Sequence, residues 1–163
     1  DLGAGILLVQ HLEKGFDTSY AEWLQGQTRL SVSLAAEGQV PGPGRVMIAP
    51  VGLHTVVSGN AVRLEDTAPV YNQKPAVDLL FSSAAAAYGN RLLGVLLTGM
   101  GCDGASGCAE IIRKGGYTLV QDRETSSVYG MPKAAVELRA ASEVLPLDRI
   151  PERIAALCGG STA

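Results

Sequence analysis

The chain has 163 residues, of which 47% are hydrophobic and 18% charged, with a formal net charge of −3. That length supports one domain with a real core and is short for two. No lysine and arginine cluster occurs and no apolar run nears the length of a membrane span, which argues against nucleic-acid binding and direct membrane insertion.

Ile6 to Gln10 reads as a buried strand, and the lack of a basic stretch before it argues against a signal peptide. Asp17-Thr18-Ser19 then offers caps for a helix carrying Tyr20, Trp23 and Leu24, which leaves His11 in the intervening loop. Ser31 to Ala35 alternates like a strand, Glu37 to Gly44 is a rigid loop, and Val46 to Ala49 is a second short buried run. Ser58-Gly59-Asn60, set between β-branched segments in Thr55 to Leu64, predicts an antiparallel hairpin. His54 lies just before it and is expected as a capping or surface residue. Ala68 to Pro75 is irregular and polar, after which Val77, Leu80, Phe81, Ala84 and Tyr88 follow helical spacing to a stop at Gly89.

Val95, Leu96 and Leu97 predict a strand buried on both faces that opens into a loop studded with Gly99, Gly101, Gly104 and Gly107. Those glycines allow positive φ or close approach to a ligand. Ala109, Ile111 and Ile112 mark a helix ended by Gly115-Gly116, and Tyr117 to Val120 is the next strand. A helix from Pro132 to about Arg139, an edge strand over Val144 to Leu147 and a helix over Ile150 to Leu157 complete the chain. Strands alternating with helices predict an α/β protein. Its expected form is a doubly wound, mostly parallel sheet with helices on both faces, three layers αβα, plus an antiparallel hairpin excursion.

His11 follows one strand and Asp103 another, so both are expected at the carboxyl edge of the sheet, where open α/β sheets place their chemistry. A histidine held by a buried carboxylate is the base and orienter of a hydrolytic triad. Gly130-Met131-Pro132 is placed to shape the same edge. No G-x-S-x-G turn supplies the nucleophile. Gly160-Ser161-Thr162 follows a terminal helix and reads as a frayed tail, and Ser106 reads as a helix cap or packed small residue. Cys102 could pair with His11 as a thiolate, but the neighbouring Asp103 disfavours that charge.

Cys108 and Cys158 read as packing residues, and three cysteines without a C-x-x-C predict reduced thiols in a cytoplasmic protein. Two histidines without close ligand spacing predict no metal site. Gly99 to Gly104 also satisfies G-x-G-x-x-G, with Asp122 at the offset of a ribose-binding acid, so nucleotide binding is an alternative. Against it, Asp103 would repel a pyrophosphate, and the motif falls late in the chain.

Three segments together carry a family resemblance: Gln10-His11-Leu12 with Gly15-Phe16, Leu97-Thr98-Gly99-Met100-Gly101 with Asp103-Gly104-Ala105, and Tyr129-Gly130-Met131-Pro132. In order and spacing they resemble the catalytic domain of the CheB-type chemotaxis receptor methylesterase. Ile48-Ala49-Pro50, Pro75-Ala76-Val77-Asp78 and Ser142-Glu143-Val144 agree, so the resemblance covers essentially the whole chain. It implies a serine hydrolase, without metal or organic cofactor, that demethylates glutamate methyl esters on cytoplasmic chemoreceptor helices and in some members deamidates receptor glutamines. It also implies His11 as general base, Asp103 as its orienter, a backbone N–H near Met100 in the oxyanion hole, and a phosphorylatable receiver domain as a partner.

The chain departs from the family pattern twice. The nucleophile belongs to a Gly-Ala-Ser-Thr-Gly-Gly turn after a first strand, and neither lies within residues 1–163, which therefore read as one catalytic domain without that strand and turn. The residues are expected to be a portion of a longer polypeptide; the other possibility is a nonenzymatic receptor-binding or scaffold domain of the same fold. Lys74 stands before Pro75 where members often carry arginine, and it cannot reproduce a bidentate guanidinium contact.

Overall fold

A computed structural model of the chain describes residues 2–159. Gly160-Ser161-Thr162 lies outside the described residues. The elements run β1 (Ile6–Leu8), α1 (Asp17–Gln27), β2 (Ser31–Leu34), β3 (Arg45–Ile48), β4 (His54–Ser58), β5 (Ala61–Glu65) and α2 (Val77–Tyr88). After them come β6 (Leu93–Leu96), α3 (Ala105–Arg113), β7 (Tyr117–Gln121), α4 (Met131–Glu137), β8 (Glu143–Leu145) and α5 (Ile150–Cys158). The order follows the periodicity of the sequence, with boundaries displaced by a few residues. Gly89 ends α2 at a positive φ, as its position after Tyr88 predicts.

The expected parallel sheet is present as two three-stranded parallel sheets, ordered β1-β3-β2 and β6-β7-β8, with β4 and β5 forming a separate antiparallel pair. Register follows the two-residue period of strands. Ile6 and Leu8 of β1, with Val46 and Ile48 of β3, face Ala21, Tyr20 and Leu24 of α1. Their alternates, Leu7 and Met47, face Val62 and Leu64 of β5. The hairpin is thus a layer over one face of the first sheet, and Val57 of β4 packs in turn on Leu80 and Ala84 of α2. Leu96, Val120, Ala105, Cys108, Met131 and Ala135 join the second sheet to α3 and α4.

β1 and β6 are each the outer strand of their sheet, and each keeps one edge without a strand partner among the described residues. That explains two differences from expectation. All three residues of β1 are only half-buried, and Leu97, expected within a buried strand, lies past the end of β6 and is exposed. An edge strand lacks the neighbour that would cover it.

Local cap assignments also shift. Asp17 does not cap α1, whose N-cap is Phe16 without a side-chain bond. Its carboxylate accepts the Thr18 N–H through Oδ1 and the Val51 N–H through Oδ2, each at 3.0 Å, tying the helix start to the turn after β3. Trp23 lies on the outer face of α1, exposed and stacked on Tyr20. Ser106 is exposed and caps nothing, because the N-terminus of α3 takes its acceptor from another helix.

Candidate active site

The unpaired edge strands lead at their carboxyl ends to one place. His11, just beyond β1, and Asp103, in the loop after β6, meet with Nε2 and Oδ2 2.8 Å apart. Asp103 is buried, whereas a fifth of the His11 side chain stays exposed, so the pair has a wall side and an open side. The carboxylate is further held by the first amides of α2: the Val77 N–H donates to Oδ2 at 2.7 Å and the Asp78 N–H to Oδ1 at 2.9 Å. Burial pushes the Asp103 carboxyl up, but the His11 bond, the two amide bonds and the His11 charge outweigh it and leave it below the ordinary carboxylate value.

An ionised carboxylate only accepts, so the His11 proton sits on Nε2 and Nδ1 is the free basic nitrogen. In the serine-protease template the orienting aspartate instead binds Nδ1–H and leaves Nε2 as the base. Here it is Nδ1 that points away from the carboxylate.

A second carboxylate answers the first. Asp78, in the first turn of α2, accepts the Gly104 N–H at 2.9 Å and the Gly107 N–H at 2.7 Å through Oδ1. Asp103 therefore caps α2 while Asp78 caps α3. The glycines earn their places at this junction. Gly104 has φ +95°, and a Cβ on Gly107 would stand 2.5 Å from the Phe81 Cβ, so the helices meet only because Gly107 has no side chain. With the Gly104 and Gly107 amides at the start of α3 given to Asp78, those amides are not open to a phosphate, which counts against the nucleotide reading.

The Met100 segment is pinned from behind. Buried Gln121 accepts the Thr98 N–H at 2.7 Å and donates to the Thr125 carbonyl at 2.8 Å. Gly99 donates to the Val128 carbonyl, and its own carbonyl accepts the Gly130 and Met131 N–H groups. Gly130-Met131-Pro132 thus borders the same edge, as its position predicts. The Met100 and Gly101 N–H groups have no acceptor among the described residues, and the Met100 side chain is 80% exposed.

A family model described as CheB methylesterase matches residues 1–154. The chain belongs to the CheB methylesterase family. It is 49% identical over 154 residues to a protein-glutamate methylesterase/protein-glutamine glutaminase 2 of Anaeromyxobacter dehalogenans, covering 94% of this chain and 45% of that protein. A protein-glutamate methylesterase/protein-glutamine glutaminase of Pyrococcus horikoshii is 42% identical over 158 residues, covering 94% and 43%. The crystal structure of the Thermotoga maritima CheB methylesterase catalytic domain superposes with a TM-score of 0.89 at 37% identity, over 96% of this chain and 85% of that one. The chain spans less than half the length of the curated relatives it matches.

Against this CheB framework, several polar residues take roles that motif spacing does not reveal. His54 is no surface cap: it lies in β4, fully buried, with Nε2 3.0 Å from the Ala68 carbonyl, and Nδ1 accepts the Ala76 N–H at 3.2 Å. Those bonds give it the Nε2–H tautomer. Gln121 and Asp78 are likewise buried and paired. The available signal was a polar residue inside an otherwise apolar run, as in the His54 and Gln121 strands. Cys102 is exposed on the loop, Cys108 is fully buried, and Lys74 pairs with Asp66. Among the described residues no His, Cys, Asp and Glu group is arranged to hold a metal ion, and no helix is long and apolar enough to cross a membrane.

Proposed function

We propose that this chain is the catalytic domain of a serine-type protein-glutamate methylesterase that hydrolyses glutamate methyl esters on cytoplasmic chemoreceptor helices during chemotaxis. The observation that carries this reading is the 2.8 Å contact between His11, just beyond β1, and a buried, amide-held Asp103 in the loop after β6. His11 takes the nucleophile's proton on Nδ1, and Asp103 fixes the tautomer and stabilises the imidazolium. The free N–H of Met100 stabilises the tetrahedral oxyanion, a contribution worth about 2.7–4 kcal/mol for one such donor.

The nucleophile in this reading is a serine on the turn after a strand seated between the open edges of β1 and β6. Such a strand would satisfy both edges and deliver its turn beside His11. The names of the relatives also support deamidation of receptor glutamines by the same site, because amide and ester hydrolysis share the tetrahedral oxyanion. A receiver domain is the proposed regulatory partner, and the cytoplasm the proposed location.

Methanol release from methylated receptor, measured on the protein expressed from its complete gene, tests the reading. His11→Ala is expected to lower kcat by several orders of magnitude, given the interdependence of triad members. Unchanged turnover rejects the role of His11, and no turnover by the wild type favours a receptor-binding scaffold.

A further inference from the structure

Asp103 reaches His11 from a loop, and a loop aspartate is a poor orienter unless something stops it moving. Its carboxylate is held by α2 through the Val77 and Asp78 amides. The loop's backbone is held just beyond Asp103, at Gly104 and Gly107, by the Asp78 carboxylate. Both attachments converge on the first turn of α2, and the Ala76 N–H immediately before that turn is anchored to buried His54. The first turn of α2 is therefore a fixed block to which the loop is tied at its side chain and at its backbone.

We propose that Asp78 is a positioning residue for the His11–Asp103 pair, locking the Asp103 loop to the start of α2 through the Gly104 and Gly107 amides. The inference rests on the methylesterase reading for its kinetic consequences, but the geometry it predicts does not. Asp78 is buried within the same polar knot as Asp103, and the titratable groups that feel its charge are Asp103 and, on α3, Cys108. Burial raises the Asp78 carboxyl despite its two amide bonds, with the nearby Asp103 charge acting in the same sense. Both bonds go to Oδ1, so an asparagine oxygen can accept both.

The test compares D78A and D78N in the protein expressed from its complete gene. The first readout is the downfield proton NMR signal of His11 Nε2–H bonded to Asp103. D78A removes both acceptor contacts; the signal is expected to disappear and kcat for methanol release to fall about 10²-fold, the cost of roughly 1 Å of misplacement, with KM little changed. D78N is expected to keep the signal and restore kcat to near wild type.

A folded D78A that keeps the signal and wild-type kcat overturns the proposal, as does a D78N that fails to rescue. If D78A does not fold, D78S, which shortens the acceptor to the Gly104 and Gly107 amides, decides: a lost or broadened signal with lowered kcat supports the proposal, and a retained signal with wild-type kcat overturns it. Because the NMR readout needs no turnover, failure of the esterase reading leaves this test standing.

Discussion

Replacing Asp103 by asparagine removes one charge and one acceptor while keeping the outline of the side chain. In the native site Oδ2 accepts from His11 Nε2 and the Val77 N–H, and Oδ1 accepts from the Asp78 N–H. An asparagine oxygen at the Oδ2 position keeps two bonds but turns its NH₂ group toward the Asp78 N–H, and the flipped amide opposes two donors. The better orientation leaves one buried amide unpaired, at a cost of about 1–3 kcal/mol, and losing the charge at the α2 N-terminus adds ~0.3–1 kcal/mol. D103N is therefore expected to lose about 1–4 kcal/mol of unfolding free energy at neutral pH, read as a lower urea midpoint at unchanged slope.

The same variant carries a pH signature. The folded carboxyl of Asp103 lies below its ordinary value, so its contribution is present above that value and is lost as pH falls through the folded value. The stability gap between wild type and D103N should narrow as pH falls below about 4. An unchanged urea midpoint at pH 7, together with identical acid sensitivity in the two proteins, would refute the capping role.

Three further outcomes are expected. His54→Leu leaves the Ala76 N–H and the Ala68 carbonyl unpaired in the core and should cost at least ~1–3 kcal/mol in urea unfolding; a change within ~0.5 kcal/mol would contradict the buried bonding. The Thr55 hydroxyl is buried without a hydrogen-bond partner among the described residues, so Thr55→Val should stabilise by about 1 kcal/mol, and a loss of stability would mean that the hydroxyl is satisfied. Burial, with the Asp78 charge as a lesser cause, pushes the Cys108 thiol up to about 12, whereas Cys102 is exposed. Iodoacetamide at pH 8 should alkylate Cys102 and spare Cys108 in the native protein, as read by peptide mass spectrometry, and native-state labelling of Cys108 would argue against the α3 packing.

The elements were legible because their signals are local. Val77, Leu80, Phe81, Ala84 and Tyr88 mark one helix face by spacing alone, and Ser58-Gly59-Asn60 marks a hairpin turn. His11 and Asp103 could be nominated as a pair because each follows an apolar strand run, and parallel strands deliver their carboxyl ends to one edge. The errors share one cause. Local reading makes Asp17 and Ser106 helix caps and His54 a capping or surface residue, whereas Asp17 also bonds the distant Val51, α3 is capped by Asp78, and His54 is buried and bonds Ala68 and Ala76.

What the sequence by itself determined, then, is the succession of strands and helices and the family to which the motif order points. Only the tertiary structure decided that Nε2 rather than Nδ1 of His11 faces Asp103, that Asp78 and Asp103 cap each other's helices, and that the parallel strands form two sheets with open edges at β1 and β6. The physical reason is range. Periodicity is set by neighbours three or four residues away, whereas His11 and Asp103 are 92 residues apart, and nothing in local spacing encodes which nitrogen, amide or strand edge such distant groups present to one another.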